Sequence, residues 1–282
     1  MHKRKITLGM LGEYIAHLQE QEKSFATRQK YRHDILDFMG YIKGRVVTKE
    51  LTMAYKEQLK KAYEPSSINS MLAAINGLLG YLGWQDVRVK RLSIQRKIFC
   101  DEKRELSKQE YLRLLAAARS PKQQRINLIV QTICATGIRV SELKHITAQA
   151  VADGQAVVEC KGKVRLVFLP KKLQKLLGQY MRRGGIKAGP VFVTRSGKPI
   201  GRVSVWREMK ALCDSAGVAP SKVFPHNLRH LFARTFYGNE KDIAKLADIL
   251  GHSSVETTRG YIVSTGKEHL RQVERLGLVM GR

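Results

Sequence analysis

Acidic side chains are scarce in this chain: 24 Asp and Glu stand against 51 Lys and Arg in 282 residues, a formal net charge of +27. Clustered carboxylates able to hold divalent cations therefore have few residues to draw on, and those present near histidine or arginine are dispersed. Cysteine is sparse too. Cys100, Cys134, Cys160 and Cys213 lie far apart without a C-x-x-C pair, which excludes a patterned zinc site and a disulfide framework and reads as reduced thiols of a cytoplasmic protein. No uninterrupted apolar run reaches membrane-spanning length, and the charged start Met1-His2-Lys3-Arg4-Lys5 leads into sequence too often broken by charge for a signal-peptide core. Internal repeats and low-complexity segments are also missing.

What is present is positive charge, and it is spread out. Residues 1–100 carry 18 basic and 9 acidic side chains, and residues 101–282 carry 33 and 15. Charge distributed over folded-looking sequence suits a chain that grips a long polyanion throughout, with nucleic acid the leading candidate. A solvated basic surface remains the alternative at this point.

The length predicts two domains. Over the first eighty residues four helical patterns follow one another. Leu8, Leu11, Ile15 and Leu18 share a face behind Thr7; Tyr31, Ile35, Phe38 and Ile42 follow Thr27; Leu51, Tyr55 and Leu59 follow Thr48; Ile68, Leu72, Ile75 and Leu79 follow Pro65-Ser66-Ser67, with Gly83 as a stop. A four-helix domain over residues 1–84 is expected, then a charged linker over 85–105, then a second domain over 106–282 that opens on the capping box Ser107-Lys108-Gln109-Glu110. Within it, Ala156–Cys160 and Val164–Leu169 read as a hairpin around Lys161-Gly162-Lys163, Val191-Phe192-Val193 as a further strand, and 202–216, 225–237, 240–250 and 266–276 as helices. The fold class is thus mainly α with a small antiparallel sheet in the C-terminal domain.

Three segments can carry chemistry. In Phe224-Pro225-His226-Asn227-Leu228-Arg229-His230, Pro225 suits a first helical turn, so His226 and Arg229 share a face beside free backbone N–H groups, an arrangement suited to phosphate. His226 and His230 as a metal pair is the rival, but Asn227 stands where a zinc peptidase needs Glu; a structural histidine is the other. Thr136-Gly137-Ile138-Arg139-Val140-Ser141-Glu142-Leu143 places Arg139 just past a glycine stop, aimed outward or paired with Glu142. Leu250-Gly251-His252 is followed nine residues later by Tyr261, either a core-edge ring or a nucleophile that needs cationic neighbours to favour its phenolate.

Taken together and in this order, the Thr-Gly-Ile-Arg-Val-Ser-Glu-Leu, His-x-x-Arg and Leu-Gly-His…Tyr motifs resemble the tyrosine recombinases and phage integrases over essentially the whole chain. The resemblance implies a helical core-binding domain ahead of a mixed catalytic domain, and a metal-free, cofactor-free enzyme that cuts and rejoins double-stranded DNA through a 3′-phosphotyrosyl link. It makes Tyr261 the nucleophile, Arg139 and Arg229 the ligands of the non-bridging oxygens, His226 the group that moves the tyrosine proton, and His252 a hydrogen-bond partner of the phosphate. Glu142 and His230 match family positions as supporting residues.

It also implies a hairpin lysine that protonates the 5′-oxygen. Lys163 is assigned, with Lys161 the alternative because Cys160-Lys161-Gly162-Lys163-Val164-Arg165 is one residue shorter than the common hairpin. The family further implies a tetramer on two DNA sites. A stripe of Leu270, Val273 and Leu276 can dock on a neighbouring protomer or pack in its own domain. The short segment ahead of the bundle leaves little room for an arm-binding domain, so a simple recombinase acting on short core sites is expected. Integration or excision of a mobile element is the expected task, and resolution of chromosome dimers or inversion of a DNA segment would use the same active site. A type IB topoisomerase and a non-catalytic DNA-binding protein are the alternatives.

Overall fold

The computed structural model describes residues 4–94, 103–160, 163–262, 270, 273–276 and 278, with backbone alone at Cys160 and Lys163. It forms two units, Met1–Arg96 and Lys97–Arg282, each with its own core.

The N-terminal unit holds four helices, α1 (Leu8–Glu20), α2 (Phe25–Ile42), α3 (Lys49–Ala62) and α4 (Pro65–Tyr81). Thr7 and Thr48 cap α1 and α3 by accepting hydrogen bonds from Met10 N and Leu51 N. The cap of α2 is Ser24 and not Thr27: the Ser24 hydroxyl accepts from Thr27 N, which lies inside the first turn. Ile35, Phe38, Ile42, Leu72, Ile75 and Leu79 form the buried seam. Leu8, expected in it, is 68% exposed, and Tyr14 fills the place on α1. Gly83 takes φ +74 just past α4, the left-handed conformation a glycine stop requires.

Beyond Gly83 the chain stays attached to this bundle. Asn76 Nδ2 donates to Val89 O at 2.7 Å while Asn76 Oδ1 accepts from Val89 N at 3.0 Å, and Asn69 brackets Leu92 in the same way at 2.9 and 2.7 Å. Two asparagines seven residues apart lie on one helix face, so each offers its amide to an extended strap as a strand neighbour would. The opening of the segment read as linker is therefore bound to α4 through Leu92.

The C-terminal unit contains α5 (Lys108–Ala117), α6 (Gln124–Thr136), a 3-10 segment Val140–His145, α7 (Ala148–Asp153), β1 (Gln155–Cys160), β2 (Lys163–Phe168), α8 (Lys171–Arg183), α9 (Arg202–Lys210), α10 (Cys213–Ala216), α11 (Pro225–Glu240), α12 (Ile243–Leu250) and α13 (Val255–Arg259). Ser107 and Glu110 close the expected capping box on α5. Apolar α6 runs through the core against α11, α8 and α9. The strands pair antiparallel with Cys160 opposite Lys163, so Lys163 opens β2 and the connection is Lys161-Gly162, which lies outside the described residues. Ala156, Val158 and Val167 turn inward, and Val157, Val164, Leu166 and Phe168 outward, the period-2 alternation of a sheet covered on one face.

Val191-Phe192-Val193 is not a strand. Only isolated bridges form there, Thr147 to Pro190 and Val193 to Pro199, because a proline at each lacks the N–H that a ladder needs; Val191 and Phe192 are buried as core contacts instead. The expected helix over 202–216 divides into α9 and α10 at a tightened turn where Leu212 N donates to Met209 O. Most of the expected helix over 266–276 lies outside the described residues. Leu270, Val273 and Leu276, which are described, are exposed.

Candidate active site

Two helix ends build the centre of the site. α6 stops at Gly137 and α12 at Gly251, both left-handed with φ +65 and +64. Glycine is required at each for a second reason as well. A Cβ at Gly137 would lie 2.6 Å from the Phe232 ring, and one at Gly251 would run into Arg165 Cδ. The carbonyls left free at these ends, Gly137 O and Leu250 O, converge on the Arg229 guanidinium, which donates from Nη1 to the first and from Nη2 to the second at 2.7 Å. The negative ends of two helices thus offset the cost of burying a charge that is only 1% exposed. Arg229 Nε has no hydrogen-bond partner among the described residues. Burial, reinforced by Arg139, pushes the guanidinium down to about 10, so it stays charged at neutral pH.

His252, in the turn after Gly251, bridges Arg229 and Thr258. Arg229 Nη2 reaches its Nε2 at 2.9 Å, and Nδ1 lies 2.8 Å from the buried Thr258 hydroxyl on α13. Burial and then the charges of Arg229, Arg139 and Arg165 push His252 down to about 4. His226, at the second position of α11, is pushed down to about 4 by burial and by its neighbours His230, Arg229 and Arg139. Both rings are therefore neutral at pH 7.

Arg139 precedes the 3-10 segment, half-exposed, with its backbone N–H and Nη1 donating to the two carboxylate oxygens of Glu142 at 2.8 and 2.9 Å. Both sequence readings of Arg139 thus hold together: it pairs with Glu142 and borders solvent. Glu142 is 2% exposed and also accepts from Arg165 Nη2 at 2.7 Å; the three arginine contacts outweigh burial and hold its carboxyl below the usual range. Arg165, on the inward face of β2, donates from Nη1 to Ile249 O at 2.8 Å and so ties the hairpin to the end of α12. One carboxylate among three guanidiniums leaves a cationic concavity. Arg139 stands between two clefts, one of about 610 Å³ lined by Ser141, Arg165, Asp248, His252 and Ser253, the other of about 480 Å³ lined by Arg202, Trp206, Phe224, His226 and Arg229.

Tyr261 follows α13 and lies half-buried against these groups. Its ring centroid is 5.2 Å from that of His226, 4.3 Å from His230 and 5.0 Å from His252, and the Arg229 guanidinium carbon is 5.9 Å away. Five of the six expected site residues, Arg139, His226, Arg229, His252 and Tyr261, thus come together from the three chain segments singled out in the sequence. Of the sixth, Lys163, the backbone is placed at the hairpin end of β2 and the side chain lies outside the described set, as does Lys161. Among the described residues no group of His, Cys, Asp and Glu is arranged to hold a metal ion.

Sequence reasoning missed Arg165, Thr258 and Glu105 as members of this constellation, and Arg202 and Trp206 as its border. For Arg165 a signal existed: it is a charged residue at an inward position of a half-buried strand, two residues before core Val167, and such a position demands a buried anion.

Residues 104–268 match the phage integrase family, and residues 11–86 match the phage integrase N-terminal SAM-like domain. The chain belongs to the phage integrase family: it is a tyrosine recombinase, an enzyme of site-specific recombination that breaks and rejoins DNA strands. Over 99% of its length it is 27% identical to tyrosine recombinase XerA of Pyrococcus furiosus, covering 98% of that protein. Over 87% it is 28% identical to tyrosine recombinase XerD of Vibrio cholerae, covering 82% of that one. Its fold is shared with a lambda integrase tetramer bound to a Holliday junction, at TM-score 0.71 and 18% identity over 91% of this chain and 77% of the other.

Proposed function

We propose that Tyr261 is the nucleophile of strand cleavage and that Arg139, Lys163, His226, Arg229 and His252 complete the catalytic set. The observation that carries this reading is the packing of the Tyr261 ring among His226, His230 and His252 in front of the buried Arg229. A phosphodiester in the cationic concavity meets Arg139 and Arg229, whose fixed donors stabilise the added negative charge of a pentacoordinate phosphorus without reorganisation. The Tyr261 oxygen forms the new bond to phosphorus, neutral His226 accepts the phenol proton, and the 5′-oxygen departs with a proton from Lys163. One phosphodiester is exchanged for another, so the reverse attack by a 5′-hydroxyl from a partner strand reseals the DNA with no outside energy source.

The reading extends to domains and partners. Residues 1–84, with the strap that continues through Leu92, form the core-binding domain and 106–282 the catalytic domain, the rest of 85–105 joining them, and both basic units contact double-stranded DNA through phosphates. Four protomers act on two DNA sites in the cytoplasm, and the biological task is integration or excision of a mobile element. Supporting the assembly is the fold shared with the lambda integrase tetramer.

The test is a plasmid carrying two copies of the DNA that flanks the gene, incubated with the purified chain. Recombinant junctions and Holliday intermediates are expected. Relaxation of supercoils without exchange of partners would place the enzyme with the type IB topoisomerases, and tight binding without either product would leave it a DNA-binding protein.

A further inference from the structure

The wall behind Tyr261 is itself held by a residue to which no motif points. Glu105, three residues before α5, places Oε1 3.5 Å from His230 Nδ1 and Oε2 3.3 Å from Arg234 Nη2, with its side chain largely buried. The ring of His230 is in turn the nearest to Tyr261, at 4.3 Å between centroids and 52° between planes. The backbone on either side is anchored to the same helix. Asn227 Nδ2 donates to Arg104 O at 2.8 Å, Arg234 Nη2 donates to Leu106 O at 2.7 Å, and Leu106 is fully buried. The carboxylate therefore reaches α11 from a fixed point, and among the described residues it is the one that ion-pairs with a ring of the three-histidine cluster.

We propose that Glu105 is a positioning residue for the nucleophile, fixing the rotation and Nδ1-protonated form of His230 so that the His230 ring holds Tyr261 in line with the phosphate site. The proposal rests on the assignment of Tyr261 as nucleophile. An imidazole has two nearly equivalent rotations about its last side-chain bond, and a carboxylate at Nδ1 selects one of them and requires a proton on that nitrogen. A ring so fixed presents the same face to Tyr261 in every molecule, whereas a ring free to turn leaves the tyrosine with several placements, of which few are aligned for attack. Glu105 stays ionised for this role. Burial alone would raise its carboxyl, but the hydrogen bond from His230 and the charge of Arg234 outweigh burial and hold it below the usual carboxylate range. Arg234 serves the other oxygen and the backbone, so it anchors the segment without touching Tyr261.

The experiment measures three quantities on full-length variants: DNA affinity, the first-order rate of covalent adduct formation on a nicked site, and the unfolding temperature. Glu105→Gln is expected to bind DNA within about twofold of the native chain and to cleave on the order of tenfold more slowly, a loss in the chemical step and not in binding. Glu105→Asp recovers most of that rate. Arg234→Met, which keeps the Glu105–His230 contact but removes one anchor of the carboxylate, lowers the unfolding temperature and slows cleavage less than Glu105→Gln does. In a His230→Asn background, Glu105→Gln causes no further loss, because the residue through which it acts is gone. The proposal is overturned if Glu105→Gln cleaves at the native rate, if its loss is undiminished in the His230→Asn background, or if Arg234→Met slows cleavage as much as Glu105→Gln does. Failure of the underlying assignment has a different signature: an adduct formed by Tyr261→Phe.

Discussion

Arg229 Nη2 donates a hydrogen bond to His252 Nε2 across 2.9 Å. A guanidinium has no acceptor, so Nε2 must carry the lone pair, and the proton of the neutral ring sits on Nδ1, facing the Thr258 hydroxyl. His252 in this state cannot donate from Nε2 to a phosphate. On the proposed reading, an anionic phosphate would draw a donor from Arg229, and its negative charge would favour protonation of the ring and free Nε2 as a donor. Replacing His252 by Ala is expected to lower the cleavage rate by about 10²-fold, the size of a lost charge-stabilising donor, with little change in DNA affinity. Single-turnover cleavage beside a binding titration checks this.

Arg229 is the side chain on which the two helix ends converge. Arg229→Lys keeps one charge but cannot span Gly137 O, Leu250 O and His252 together, since an ammonium is a point donor and not a fork. A drop in unfolding free energy of about 2–4 kcal/mol and near-complete loss of cleavage are expected. Denaturant unfolding and adduct formation measure the two separately.

Glu142 balances Arg139 and Arg165 from a position 2% exposed to solvent. Glu142→Gln leaves two guanidiniums without their anion, and about 3 kcal/mol or more of stability should be lost, the cost of breaking a buried pair from one side. Because Arg165 also holds Ile249 O, the hairpin should loosen, which hydrogen exchange along β1 and β2 would register as faster exchange.

The two depressed histidines set a pH window. His226 and His252 lie at about 4 in the folded chain against 6.5 when unperturbed, so the unfolded state binds more protons between these values. Stability is full above pH 6.5 and falls as pH drops toward 4. The unfolding temperature should decline across that interval, and the decline should be shallower in a His226→Gln, His252→Gln double variant and in the presence of DNA, whose phosphates favour the charged rings. An equally steep decline in the double variant would assign the effect to other groups.

Much of this was legible in the chain itself, for identifiable reasons. The stripes Ile35–Phe38–Ile42 and Leu72–Ile75–Leu79 recorded burial directly, because helical periodicity and a one-sided core are the same fact. Gly137 and Gly251 marked the helix stops beside which Arg139 and His252 stand. What could not be read were contacts between distant segments that leave no periodic trace. Arg165 meets Glu142 from 23 residues away and Arg234 meets Leu106 O from 128, and neither pair shares a motif. The strap on Asn69 and Asn76 was hidden because its bonds run from side-chain amides to backbone, and the residues it holds looked merely charged and aperiodic. The expected strand at Val191–Val193 failed for a local reason visible in retrospect, the prolines at 190 and 199.

The most direct test of the account is to incubate the chain with nicked fragments of its flanking DNA, without divalent metal, and to look for a protein–DNA adduct that survives SDS. The native chain should form an adduct whose DNA-linked peptide contains Tyr261, and Tyr261→Phe should bind the same fragment and form none. An adduct of equal yield with the phenylalanine variant, or one mapped to another side chain, would contradict the assignment of Tyr261 as nucleophile.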